Sequence, residues 1–474
     1  MVEPMSDPKM SDSQKYDAII IGSGQGGTPL SAELAKAGMR TALVERTHIG
    51  GTCINEGCSP TKTMVASGRV AYLARRAADY GVRTGNISID LKKIRERKRD
   101  VVDRFRKSTQ ENLEKTKNLD LIFGEARFTG QKTIEVHLND GQLRSLMADH
   151  IFINAGTRAA RPTLEGLDTV PALDNVSLME LDAVPEHLLV LGGGYIGLEF
   201  GQLFRRFGSR VTIVQSAAQL LAKEDPDVVE AVTEILRQDG LEILLKARAV
   251  RVGKMAAGVE LEVKRESGSM KLAGSHLLVA VGRMPNSDSL NLPAAGVDTD
   301  ERGMIKVNDR LETTTSGVYA LGDINGGPAF THISYDDYRI LRDNICHQKN
   351  ATTRGRLVPY TVYIDPQLGR VGLSEAEARA QKRNVRIAKM PMTSVARAIE
   401  TDETRGVIKV IVDGDTDQIL GAAVLAVEGG EMMSAIEIAM MGKLPYTALR
   451  EAIFAHPTWM ESLNNLFKKI DSGN

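Results

Sequence analysis

The chain has 474 residues, with 60 Lys plus Arg against 61 Asp plus Glu, a net charge of -1 and three cysteines. That length exceeds what a single core supports, so roughly two to four domains are expected. The balanced charge provides no field to recruit nucleic acid or an anionic membrane. Three cysteines cannot build a secreted disulfide framework, and no apolar run is long enough for a bilayer span or a secretory signal, so a cytoplasmic protein is expected.

Residues 1–15 are polar and read as a flexible N-terminal tail. Tyr16-Asp-Ala-Ile-Ile-Ile-Gly22 then reads as a buried strand that runs into a glycine-rich turn, Gly22-Ser-Gly24-Gln-Gly-Gly27. A helix is expected over 28–38, with Pro29 in its donor-free first turn, and a strand over 40–45. Glycines at these positions let the backbone turn tightly and approach a pyrophosphate, while the helix N-terminus faces the phosphates. Glu45 ends the second strand 23 residues after Gly22, where a carboxylate can accept from a ribose hydroxyl.

Directly after this βαβ unit comes Gly50-Gly51-Thr52-Cys53-Ile-Asn-Glu-Gly-Cys58-Ser-Pro-Thr-Lys62. Five residues of regular helix rise roughly 7.5 Å, beyond the usual Cα separation of a disulfide, so the segment must be distorted if the cysteines are bridged. Gly57 and Pro60 are residue types that permit this. Buried thiols and half of a zinc site are the competing readings. Zinc needs further ligands, and the only other cysteine is Cys346, in a stretch that reads as a helix with Cys346 in the core. No metal site is therefore expected. As a staple, a loop of about six residues contributes only about 2 kcal/mol; a short strained bridge is the reducible kind, which favours redox exchange.

Residues 92–119 have a charged, helical pattern, and 120–157 alternates strands with turns. The βαβ grammar then recurs: His187-Leu-Leu-Val-Leu191 leads into Gly192-Gly-Gly194-Tyr195-Ile196-Gly197, a helix to about residue 208 and a strand over 209–214. The returning strand ends in Gln215-Ser216 instead of an acid. A carboxylate there would repel the 2′-phosphate of NADPH, so its loss admits NADPH. Arg205, Arg206 and Arg210 read equally well as solvated charges or as phosphate ligands. From about residue 358, strand-like runs such as 406–412 alternate with an amphipathic helix over 431–441, an α+β pattern.

These residues resemble the pyridine nucleotide-disulfide oxidoreductases, the flavoprotein family of lipoamide dehydrogenase, glutathione reductase and mercuric reductase, over about residues 16–470. Cys53-x4-Cys58 followed by Pro60-Thr-Lys62 carries the resemblance most specifically. Thr314-Thr-Ser-Gly-Val-Tyr-Ala-Leu-Gly-Asp323 looks like the second FAD motif, while Asn154-Ala-Gly156-Thr157 and Val281-Gly282-Arg-Met-Pro-Asn286 resemble the crossings between the two nucleotide domains. The implied fold is α/β: two Rossmann-like domains, the NAD(P)H domain (158–282) inserted in an FAD domain (16–157 and 283–356), then a C-terminal α+β interface domain (357–474).

The resemblance implies that Gly22, Gly24, Gly27, Glu45, Gly51, Thr52, Lys62, Gly156 and Asp323 hold FAD. It implies that Gly192, Gly194, Tyr195, Ile196, Gly197, Gln215, Ser216 and Gly282 hold NADPH or NADH, with NADPH slightly favoured. Cys58 is then the flavin-proximal thiolate and Cys53 the interchange thiol. Lys62 pairs with Glu199 beside the flavin, and Tyr195 covers the nicotinamide. Ala455-His456-Pro-Thr-Trp-Met-Glu461 matches the histidine–glutamate dyad that completes the partner's active site across a homodimer. The implied substrate is a small-molecule or protein disulfide. Val395-Ala-Arg-Ala-Ile-Glu400 and Gly429-Gly-Glu431 look like mercuric reductases, which makes a metal ion (Hg(II) or Cu(II)) or a quinone the alternative acceptor. The ending Lys469-Ile-Asp-Ser-Gly-Asn474 lacks the vicinal cysteines of the usual mercuric enzyme, and His456 is normally absent from it. A flavin-bearing component of a larger complex with little turnover is the non-catalytic alternative.

Overall fold

The computed structural model describes residues 13–472. The chain divides into two compact units: Met1–Thr61, Arg97–Ala160 and Arg283–Arg356 form the first; Lys62–Glu96, Arg161–Gly282 and Leu357–Asn474 form the second. The architecture is the expected mixed α/β one.

The first unit is built on a parallel sheet. The strand Gln14–Ile21 pairs with Thr41–Glu45 on one side and with Leu143–Ile153 on the other, all parallel. Every residue of Thr41–Glu45 is buried, as a strand covered on both faces requires. Two long strands, Leu119–Gly130 and Leu143–Ile153, each have both a parallel and an antiparallel partner within the same sheet. Leu119–Gly130 pairs in parallel with Thr41–Glu45 up to Phe123 and antiparallel with Thr133–Leu138 from Gly124 onward. A Cβ on Gly124 would lie 2.5 Å from the His137 carbonyl, so only glycine fits where the pairing changes. Val318–Ala320 joins the sheet beside Leu143–Ile153.

The second unit contains a parallel sheet in the order His276–Val279, His187–Leu191, Arg210–Val214, Glu242–Leu244, and an antiparallel three-stranded sheet follows it over Arg248–Met255, Gly258–Arg265 and Gly268–Gly274. Its C-terminal part is a five-stranded antiparallel sheet, in which Val407–Asp413 is buried throughout. The helix Gly429–Met441 lays Met432, Met433 and Ile436 on this sheet against Val371 and Val424.

Boundaries shift in three places. The tail expected over 1–15 lies outside the described residues as far as position 12, while Gln14 and Lys15 already belong to the first strand because Leu146 and Met147 supply pairing partners. The helix expected over 92–119 is Leu91–Glu114. Residues 62–96, expected within the FAD domain, group with the second unit: Met64 and Leu91 enter its core, and Arg69 pairs with Asp365 at 2.9 Å and Glu403 at 2.5 Å.

The Arg206 reading also changes. Its side chain is only 7% exposed and pairs with Asp365, while Arg205 Nε donates to the Asp239 carbonyl at 3.0 Å. Glu199, Gln202 and Arg206 share one face of the helix Tyr195–Phe207, and all three bind the segment 363–365: Glu199 Oε1 accepts from Tyr363 N–H at 2.9 Å, Gln202 Oε1 accepts from Asp365 N–H at 2.7 Å, and Arg206 holds the Asp365 carboxylate. Burial pushes the Asp365 carboxyl up, but Arg206 and Arg69 outweigh it and hold the group below the usual carboxylate range. A depressed carboxylate contributes stability that is present above its unfolded pKa and lost as pH falls through the folded value. The melting temperature is therefore expected to drop on acidification below about pH 4. Asp365→Asn, which leaves the buried Arg206 only its longer pair with Asp239 at 3.8 Å, is expected to cost up to about 3 kcal/mol at neutral pH in chemical denaturation and to flatten that acid dependence.

Candidate functional site

The two glycine turns share one geometry. Gly22 and Gly192 have φ of +100° and +110°, and a Cβ on either would strike a carbonyl, Asn154 O at 2.4 Å or Ala280 O at 2.3 Å. The third glycine of each motif packs on the first: a Cβ on Gly27 would lie 2.2 Å from Gly22 O, and one on Gly197 would lie 2.2 Å from Gly192 O. A Cβ on Gly194, by contrast, would meet nothing within 4 Å, which leaves the backbone open to a ligand.

The ends of the returning strands correspond as well. Glu45 Oε2 accepts from Ser23 N–H at 3.0 Å and from Ser23 Oγ at 2.6 Å, and Oε1 accepts from Thr47 N–H at 2.9 Å. An ionised carboxylate offers about four acceptor sites, so capacity remains for a ribose hydroxyl. In the second turn Gln215 Oε1 accepts from Gly193 N–H at 3.2 Å, across the same sequence separation of 22 residues. The same backbone donor is satisfied by an amide there. Ser216, next to it, is exposed.

Three chain-distant segments close the first site. Asn154 Oδ1 accepts from Gly27 N–H at 2.9 Å while its Nδ2 donates to Leu321 O at 2.8 Å, tying the glycine turn to the later motif. Asp323, in the short helix Gly322–Asn325, accepts from Thr157 Oγ1 at 3.0 Å, and Thr157 in turn accepts from Arg283 Nε at 2.8 Å. The strands Thr157–Ala159 and Arg283–Pro285 pair antiparallel. Gly156 lies at φ +65° with open space at its Cβ, and Gly282 at φ +135° likewise. A helix N-terminus with spare donors, a tight glycine turn, a carboxylate and an aspartate on a fixed loop fit the phosphates, ribose and ribityl chain of FAD.

The thiols lie on a broken helix. Gly51–Asn55 forms one helix, Glu56 leaves it at φ −141°, and a second helix starts at Cys58 and runs to Arg76. A Cβ on Gly57 would sit 2.9 Å from Thr52 O, so the break needs glycine. Pro60 falls in the first turn of the second helix, where no donor is lost. A Cβ on Gly51 would lie 2.7 Å from Gly24 Cα, so the cysteine helix begins against the first glycine turn. Asn55 fastens that start: its Nδ2 donates to Ile49 O at 3.0 Å and Gly51 O at 2.9 Å, and its Oδ1 accepts from Arg106 Nε at 2.9 Å.

Cys53 is half-buried and Cys58 exposed. Cys58 Sγ lies 3.3 Å from Thr331 Oγ1, at the N-terminus of the helix Thr331–Cys346. Cys58 is itself the first residue of a helix, so a thiolate there would face two positive helix ends. Cys346 is the last residue of its helix, half-buried, with its thiol pKa pushed up by burial.

In the second unit Lys62 Nζ meets Glu199 Oε2 at 2.7 Å and lies 4.7 Å from the Tyr363 ring centroid. Tyr195 is partly exposed at the start of its helix. His456 Nδ1 faces both Glu461 oxygens, at 3.1 and 2.9 Å, with the imidazole 71% exposed. Among the described residues no group of three or more His, Cys, Asp or Glu is arranged to hold a metal. No helix among them is long and apolar enough to cross a membrane.

Two matched nucleotide turns and a cysteine pair against the first of them define a dinucleotide-dependent oxidoreductase. The chain belongs to the pyridine nucleotide-disulphide oxidoreductase family: that family's model matches residues 16–337, and its dimerisation-domain model matches residues 358–467. The protein is accordingly an FAD-dependent oxidoreductase that uses a pyridine nucleotide. It is 40% identical over 460 residues to the probable pyridine nucleotide-disulfide oxidoreductase RclA of Escherichia coli, covering 96% of this chain and 99% of the relative. Mercuric reductase of Bacillus cereus is 34% identical, over 97% of this chain and 73% of that one. The solved Cu(II) complex of the HOCl-induced flavoprotein disulfide reductase RclA from Escherichia coli superposes with a TM-score of 0.88 at 38% identity, covering 96% of this chain and 99% of that chain.

Proposed function

We propose that the protein reduces a disulfide-type acceptor with electrons from NAD(P)H, through FAD and a Cys53–Cys58 redox couple, in the cytoplasm and as a homodimer. The observation that carries this is the broken helix: it sets two thiols five residues apart against the FAD turn, with Cys58 at two helix N-termini. Residues 16–157 and 283–356 hold FAD, 158–282 hold NAD(P)H and 357–474 form the dimer interface.

FAD, held by Gly22, Gly24, Gly27, Glu45 and Asp323, would supply two-electron redox chemistry between NAD(P)H and the Cys53–Cys58 disulfide. The chain's residues perform the exchange. The Cys53 thiolate attacks one sulfur of the acceptor, forming a mixed disulfide and releasing one thiolate, which the His456 imidazolium of the partner subunit protonates. The Cys58 thiolate then attacks the Cys53 sulfur, re-forming the disulfide and releasing the second thiolate, which takes its proton from water. Glu461 orients the imidazole through Nδ1, and Lys62, held by Glu199, favours negative charge beside the flavin.

NADPH is favoured slightly because residue 215 carries no charge; of the nearby arginines, Arg206 is buried on Asp365 and Arg205 Nε donates to the Asp239 carbonyl, while Arg210 is 68% exposed in a surface pair with Glu242. Gln215→Glu is expected to lower the preference for NADPH over NADH by about tenfold or more, read as the ratio of kcat/KM values. Anaerobic titration with NADH and then NADPH tests the whole reading: a long-wavelength thiolate-to-flavin band is expected at two electrons, and bound FAD that bleaches without it sinks the role given to Cys58.

A second reading has one observation in its favour, the Cu(II) bound to the similar RclA structure. In that reading the dithiolate gives one electron to each of two Cu(II) ions, yielding two Cu(I) and the disulfide. Turnover with Cu(II) exceeding that with every disulfide in a small panel would establish it.

A further inference from the structure

The loop 215–225 connects the second glycine turn to the C-terminal sheet. At its start, Gly193 donates to Gln215 Oε1 at 3.2 Å, its carbonyl accepts from Leu221 N–H at 3.0 Å, and the buried Leu220 fills the space beside it, 2.6 Å from where a Cβ would stand. Along its length, Gln215 Nε2 donates to Gln219 O at 3.2 Å and Gln219 Nε2 to Glu224 O at 3.1 Å. Leu221 has φ +42°, a left-handed conformation that leucine holds only when its surroundings impose it.

The far end is fixed to the C-terminal domain. Glu224, 6% exposed, accepts from Arg370 Nε at 2.9 Å and from the Tyr360 hydroxyl, and Arg370 also donates to Ala422 O at 2.9 Å. The adjacent Asp225 accepts from the N–H groups of Glu375 and Ala376, at 3.0 and 3.2 Å, and pairs with the buried Lys409 at 3.1 Å. A run of hydrogen bonds thus leads from Gly193 through Gln215, Gln219 and Glu224 to two strands of the C-terminal sheet.

We propose that Tyr360 and Arg370 are positioning residues for the nicotinamide coenzyme: by holding Glu224 they keep the loop 215–225 folded under the second glycine turn, and so set coenzyme affinity from another domain. This rests on the assignment of that turn to NAD(P)H. A buried carboxylate deprived of its donors moves toward water. The strain at Leu221 is released by the same movement, and the Leu221–Gly193 hydrogen bond goes with it.

The test is calorimetric titration of NADP⁺ and NAD⁺ into the FAD-loaded wild type, Tyr360→Phe and Arg370→Lys. The control is Arg386→Gln, which removes the ion pair with Asp417 from the same sheet but has no link to the loop. Tyr360→Phe and Arg370→Lys are expected to raise Kd about tenfold, the effect of one lost hydrogen bond to a charged group, with FAD content unchanged and kcat at saturating coenzyme within about twofold of wild type. Arg386→Gln should bind as wild type does. Unchanged Kd in Tyr360→Phe, the variant least disruptive to folding, overturns the inference, as does an equal loss in Arg386→Gln. If the wild type binds neither coenzyme, the coenzyme assignment itself falls; if it binds and Tyr360→Phe has no effect, only the positioning role does.

Discussion

Cys53→Ser is expected to lower turnover with any disulfide acceptor by at least about a thousandfold, the scale seen when a covalent nucleophile is removed. FAD content and flavin bleaching by NAD(P)H should persist. The substitution is nearly isosteric, and the helix Gly51–Asn55 is held by Asn55, whose bonds to Ile49, Gly51 and Arg106 do not involve the sulfur. In the proposed mechanism this removes the attacking thiolate, because a serine hydroxyl is not ionised at neutral pH and cannot form a mixed disulfide. The remaining Cys58 keeps its place beside Thr331 at 3.3 Å, so a thiolate-to-flavin band should now appear without prior reduction. Disulfide turnover at the wild-type rate would remove Cys53 from the mechanism altogether.

The second large effect is expected at His456. Its Nδ1 is occupied by both Glu461 oxygens, at 3.1 and 2.9 Å, which fixes the ring and leaves Nε2 on an imidazole that is 71% exposed. A positioned acid of this kind typically contributes 10²–10⁴-fold, so His456→Gln should slow disulfide reduction by about that factor while flavin reduction by coenzyme proceeds at its normal rate. Glu461→Gln keeps a hydrogen-bonding group but not the charge, and is expected to fall between His456→Gln and wild type. The acceptor decides the outcome. Release of Cu(I) from the thiols requires no proton on a leaving sulfur, so a metal-reducing enzyme would tolerate His456→Gln with Cu(II) as acceptor. Measuring both acceptors on the one variant therefore separates the two proposed functions.

Much of the fold was legible because the two βαβ units carry strong local signals. The strand His187–Leu191 stands where the apolar run put it, and Gly22 and Gly192 do adopt the positive φ that a turn of this type requires. In the cysteine segment a distortion was expected only if the thiols are bridged, with Gly57 and Pro60 as the residues that permit it; the helix does break at Glu56, beside Gly57. The polar groups that support the site were not legible. The segment beginning at Asn154 was picked out by resemblance, but its bonds to Gly27 and Leu321, partners 127 and 167 residues away, follow from no local pattern. Arg206 read as a surface or ligand charge on a helix; only the arrival of Asp365, 159 residues later, makes it a buried ion pair.

Local sequence features carry the class of chemistry: two glycine turns, the acid after the first and its absence after the second, and the spacing of Cys53 and Cys58. These are local constraints, because a backbone turn, a helix break or a charge beside a phosphate is settled within a few residues. Tertiary structure alone decided how those pieces are held. The clasp of Thr331 on Cys58 and the anchoring of Glu224 by Tyr360 and Arg370 depend on side-chain atoms meeting within about 3 Å. Such meetings are fixed by packing between distant segments, and a one-dimensional pattern does not specify them.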